Sequence, residues 1–153
     1  MADTGNGQPD NTSSRIVRVP DLSAKELARL AASSFRNVAD EFEDWKFLDD
    51  KERGASYEVR TMRFEPMIQT AGVCRHFLEQ GFDGNVAAFI EWVIEERPTG
   101  WFASLPSMPG RLWRNDFDPI LRAPCFLGGD LFVTNINDHW SPFWTFVAFR
   151  KVP

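Results

Sequence analysis

Six apolar residues, Leu27, Ala31, Phe35, Val38, Phe42 and Trp45, follow one another at steps of four, four, three, four and three. At about 100° per residue they fall within an arc of roughly 80°, one stripe of an amphipathic helix. Ser23 and Glu26 stand just upstream in the S-x-x-E spacing of a capping box, where each side chain satisfies a free N–H of the first turn. The spacing predicts one long helix from Leu22 to about Arg53, with Gly54 suited to the left-handed exit. Phe47 falls on the polar side of this wheel. Either the helix stops near Trp45, or Phe47 is offered to a partner.

The opposite face is acidic. Between Asp40 and Glu52 there are seven acids (Asp40, Glu41, Glu43, Asp44, Asp49, Asp50, Glu52) against Lys46 and Lys51. The net charge of the chain is −5, and the residues outside this segment carry 15 acids and 15 bases, so the whole imbalance sits in one place. Such a patch repels nucleic acid and attracts basic surfaces. Its plainer reading is a solvated helix face.

Residues 1–14 are small and polar and read as a disordered tail. The rest, 15–153, is the length of a single domain with one core. Arg15 to Val19 alternates like a short edge strand, broken by Pro20. Tyr57 to Phe64 reads as a strand whose phase slips at Thr61-Met62, where a bulge is expected. Pro66 opens a second helix with Ile68, Ala71, Cys74, Phe77 and Leu78 on one face, closed by Gly81. Asn85 caps a third helix, Val86 to Arg97, with Pro98 after its last turn.

Five of the ten prolines (Pro98, Pro106, Pro109, Pro119, Pro124) fall in 98–124. That density predicts an irregular segment with neither a helix nor a central strand. Leu131 to Ile136 and Phe143 to Val152 then alternate like two strands, with 137–142 as the hairpin loop between them. In Phe143 to Phe149 both faces are apolar, which suits a strand covered on both sides or a dimerising face. The expected fold class is α+β: about three helices, one long and N-terminal, packed on a small antiparallel sheet formed mainly by the C-terminal hairpin.

The irregular segment holds Trp101, Phe102, Leu105, Met108 and Trp113 among Arg111 and Arg114. Tryptophan with arginine is the composition of an interface hot spot; the alternative is a loop strapped inward over the core. Pro106-Ser107-Met108-Pro109-Gly110-Arg111 matches a polyproline ligand pattern, though six-residue matches arise by chance. The basic part of this region is too thin for direct nucleic-acid binding.

Chemistry is sparsely signalled. Cys74 and His76 lie about 200° apart on their helix and cannot meet. Cys125 with His139, oriented by Asn137 or Asp138, is the one nucleophile pair to consider, against a buried structural cysteine. Glu91 and Glu95 share a helix face. No metal-binding spacing, phosphate loop or hydrolase elbow is present, so no catalytic residue, metal or cofactor is assigned. There is no apolar run long enough to span a membrane and no leader pattern at the start, so the expected compartment is the cytoplasm.

These features lead to the expectation of a small acidic protein-binding module. It would be an inhibitor of the immunity, antitoxin or phage anti-defence type that occludes a basic, nucleic-acid-handling protein. The candidate contacts are Asp40, Glu43, Asp44, Phe47, Asp49, Asp50, Trp101, Arg111, Trp113 and Arg114. The alternatives are a cysteine-dependent hydrolase or transferase using Cys125 and His139, and an oligomeric structural protein, a homodimer through the aromatic strands.

Overall fold

The computed structural model describes residues 12–22, 24–38, 54–65, 67–105, 113–115, 118–136 and 139–153. In chain order the elements are β1 (Thr12–Arg18), α1 (Ala24–Ala31), β2 (Ser56–Arg63), β3 (Ile68–Gln69), α2 (Thr70–Leu78), α3 (Val86–Glu96), β4 (Trp101–Ala103), β5 (Trp113–Asn115), β6 (Asp118–Leu127), β7 (Asp130–Asn135), β8 (His139–Trp140) and β9 (Trp144–Lys151). Seven strands form one mixed sheet in the order β1-β2-β9-β4-β6-β5, with β7 on the other edge of β6. β3 and β8 make a separate two-stranded sheet. The expected arrangement of helices on a small hairpin sheet is therefore wrong. Among the described residues a large sheet is the frame, and three short helices cover it.

The alternation of β9 explains the frame. Val147 and Phe149 enter one core, with Tyr57 and Val59 of β2 and Phe126 of β6. Phe146 and Ala148 enter the other, with Met62, Ala103 and Cys125. A strand apolar at both parities must be covered on both sides, which makes it central. β9 accordingly pairs antiparallel with β2 from Tyr57↔Lys151 to Arg63↔Thr145, and parallel with β4 from Trp101↔Trp144 to Ala103↔Phe146. The β2–β9 register runs without a break through Thr61-Met62, and Met62 faces the second core. The irregularity lies in the β1–β2 ladder, where the register shifts between Thr12↔Thr61 and Arg15↔Val59, so the extra residue is on β1 and not on β2.

The strands over 131–135 and 144–151 exist, but they do not pair as a hairpin. β7 instead pairs with β6 across the Gly128-Gly129 turn, whose two positive φ angles, 61° and 91°, suit a tight hairpin. The 98–124 segment is likewise not irregular throughout, because it contributes β4, β5 and most of β6. Pro124 lies inside the β6–β7 ladder, paired with Val133, and at the end of the β4–β6 ladder on the other edge. Ser104 N–H donates to the Pro124 carbonyl at 3.3 Å, and Pro124 has no N–H to return. The β4–β6 ladder ends there, and β5 later takes up the same edge of β6. Beyond Ala103 the free edge of β9 is met by Asp83, which exchanges two backbone bonds with Phe149, 3.0 and 2.8 Å.

The long N-terminal helix is also corrected. α1 ends at Ala31, where the Ser33 hydroxyl donates to the Leu30 carbonyl at 2.7 Å and the Ser34 N–H to the Ala31 carbonyl at 2.8 Å. Adjacent serines offer the backbone a turn in place of the helical ladder. Phe35 still reaches the core from this turn, and Val38 reaches it through a parallel bridge to Leu131. Over the described part of the stripe, Leu27 and Ala31 are helical and buried, whereas Phe35 and Val38 pack partly buried against the core from non-helical backbone. Its continuation from Ala39 to Arg53 lies outside the described residues.

α2 begins at Thr70, four residues after Pro66, because Ile68 and Gln69 are extended and pair with Trp140 and His139. α3 matches its expected span, and the Asn85 side chain accepts from the Ala88 N–H at 3.0 Å as its cap. Seven of its eleven residues are buried, so α3 is the inner helix of the first face. Each large apolar side chain buried there contributes about 1.5–3 kcal/mol. Arg15 ties edge strand β1 to the end of α3 through Glu95, at 3.4 Å, and Glu96. Among the described residues no helix is long and apolar enough to cross a membrane.

Candidate functional site

Where β4 and β9 begin, a ladder of aromatic rings runs from the second core to the surface. Phe146 and Trp140 are both 1% exposed, with ring centroids 5.4 Å apart. Trp140 meets Trp144 at 5.2 Å, Trp144 meets Trp101 at 5.4 Å, and Trp101 meets Phe143 at 5.8 Å. Trp101 and Phe143 are 41% and 70% exposed. The pairs are edge-to-face or tilted, which adds about 0.5–1.5 kcal/mol each beyond simple burial.

Local structure fixes the ladder. The Trp140 indole N–H donates to the Thr70 hydroxyl at 2.8 Å, satisfying the polar atom of a buried ring. The parallel register sets Trp101 beside Trp144. A turn closed by the Trp144 N–H to the Ser141 carbonyl, 3.3 Å, presents Phe143. Arg63 reaches the Pro142 carbonyl at 3.5 Å and borders the same surface. Two large rings are thus exposed side by side on a rigid base. Adjacent exposed aromatics on a preorganised support are the usual composition of a binding hot spot.

Of the residues expected to bind a partner, Trp101 lies in this surface. Trp113 and Arg114 fall on β5, where Trp113 pairs with Arg122. Trp101 pairs with Leu127, five residues along β6, so the two tryptophans lie about 17 Å apart along that strand. By backbone position, β5 therefore lies away from Trp101. Arg111, Asp40, Glu43, Asp44, Phe47, Asp49 and Asp50 lie outside the described residues. Phe143 was missed as a site residue. It stood in the sequence as one more member of an apolar strand, and only Ser141-Pro142 before it hinted at a turn.

The cysteine reading gains no support from the geometry. Cys125 is wholly buried in the second core, and burial pushes its thiol far above the usual range, holding it protonated. Cys74 is pushed up to about 11 by burial and then by the charge of Asp83. His139 is exposed on β8, its Nε2 3.4 Å from the Gln69 amide. Glu91 is raised to about 7 by burial, then by its hydrogen bond to Glu95 and that residue's charge. Among the described residues no three His, Cys, Asp or Glu side chains group as a metal site. Comparisons with family models, characterised proteins and solved structures return no match.

Proposed function

We propose that the protein is a small cytosolic binding module that captures another protein through a basic surface, acting as an inhibitor of a nucleic-acid-handling partner. The observation that carries this reading is the exposed Trp101–Phe143 pair, held over Trp144 and the buried Trp140. Exposed ring faces attract guanidinium and ammonium groups by about 0.5–1 kcal/mol each, and more when water is excluded. The charge of the chain points the same way. The acidic segment from Asp40 to Glu52, with Phe47, supplies long-range attraction to a basic partner, and the rings supply short-range contact. Direct nucleic-acid binding is disfavoured by the same charge.

The test is capture by the tagged full chain from lysate of its source, at low and high salt, with bound proteins identified. Salt-sensitive recovery of a basic nucleic-acid enzyme is the expected result. Reversing Asp40, Glu43 and Asp44 to Lys is expected to slow association, and Trp101→Ala with Phe143→Ser to abolish retention. Capture unchanged by both sets of substitutions contradicts the reading. Sizing chromatography over a range of concentrations separates it from the oligomeric alternative, which requires a concentration-dependent dimer lost with the same two rings.

A further inference from the structure

At the C-terminal end of α3, on the other face of the sheet, lies a cleft of about 430 Å³. That is the size range of small-ligand sites. Phe35 and Phe126 supply its apolar wall, their rings 5.0 Å apart and inclined at 62°. Pro98, Thr99, Gly100, Gly128 and Gly129 line the rest together with Arg97, whose guanidinium lies 5.9 Å from the centre of the Phe35 ring.

Arg97 is the unusual residue. Six described positions have positive φ; five are glycine and the sixth is Arg97, at 46°. It occupies the left-handed position just past the helix, where glycine is the least strained choice. Strain of this kind is most often retained where a side chain has a task. Its neighbours Glu95 and Glu96 are engaged by Arg15, whereas Arg97 has no carboxylate partner among the described residues. An apolar wall, backbone opened by glycines and one free planar cation are complementary to a flat apolar body bearing a carboxylate.

We infer that this cleft binds a small planar carboxylate, its ring against Phe35 and Phe126 and its carboxylate paired with Arg97. The site is independent of the aromatic surface and of any protein partner. The partial negative charge at the helix end opposes an anion there, so charge preference is the discriminating property.

The test is a nuclear magnetic resonance titration of the ¹⁵N-labelled full chain with phenylacetate and, separately, with phenylacetamide, its neutral counterpart of similar shape. Saturable shifts at Gly100, Gly128 and Gly129 are expected, with phenylacetate bound about tenfold more tightly. Arg97→Gly is expected to hold or raise the melting temperature, since glycine suits the backbone, while abolishing the preference. Arg97→Asn, which also tolerates this conformation, is expected to abolish the preference too. Absence of saturable shifts, equal affinity for the two probes, shifts remote from these glycines, or a preference that survives in both variants overturns the inference.

Discussion

The first face of the main sheet is closed by α3, an eleven-residue helix buried along most of its length, with α1 beside it. The second is closed by α2 and the two-residue pairing of β3 with β8. α2 buries only Val73 and Phe77, so much of this cover comes from side chains, with Trp140 the largest. The first face is therefore closed by a continuous element and the second by a mosaic. At the rim of the mosaic the cover runs out, and rings that continue the core emerge as Trp101 and Phe143. Ring surface is thus exposed where closure is thin, while the other face is covered by a continuous buried helix.

Substitutions on the two faces test this difference. Phe89→Ala removes a fully buried ring from α3 and is expected to cost about 3–5 kcal/mol in denaturant unfolding. Trp140→Phe keeps an aromatic ring on the second face but loses volume and the bond to Thr70, for about 1–3 kcal/mol. A larger loss from Trp140→Phe than from Phe89→Ala would reverse the assignment of the stabilising face.

A smaller effect concerns the outer side of α3. Glu91 is raised from 4.5 to about 7, so the folded protein holds its proton more tightly than the unfolded chain. Its contribution is full below the unfolded value and is lost as pH rises through the folded one, between about 4.5 and 7. Glu91→Gln cannot ionise. It is expected to be about 1 kcal/mol more stable than the parent at pH values above that window, after allowance for solvent screening, and equal to it below. Melting curves across the window check the sign. A parent whose stability rises through it relative to the variant would contradict the assignment.

How much was legible in the sequence depended on whether the determining contacts were local. α3 was readable because its cap Asn85, its apolar face and its terminating Pro98 are adjacent in the chain. The strands around Val59, Val133 and Val147 were readable from alternation. Their partners were not, because β7 and β9 follow one another in the chain among the strands of the main sheet, yet β4 and β6 lie between them there, and no short-range signal encodes that insertion. The apolar spacing brings Phe35 and Val38 to the core only in part, because Ser33 and Ser34 turn the chain before helical geometry could deliver them. At the site, Trp101 was visible as a tryptophan near prolines and arginines. Phe143 was hidden in a stretch where both parities are apolar, and its exposure follows only from the turn at Ser141-Pro142.

The central claim is that the exposed rings serve recognition while the sheet beneath does not need them. It is tested by measuring, on one preparation of the Trp101→Ala, Phe143→Ser variant, both unfolding free energy and capture of the protein retained by the parent. The account predicts a loss of no more than about 1–2 kcal/mol of stability together with loss of capture. Full capture, or unfolding on the scale of Phe89→Ala, would contradict it.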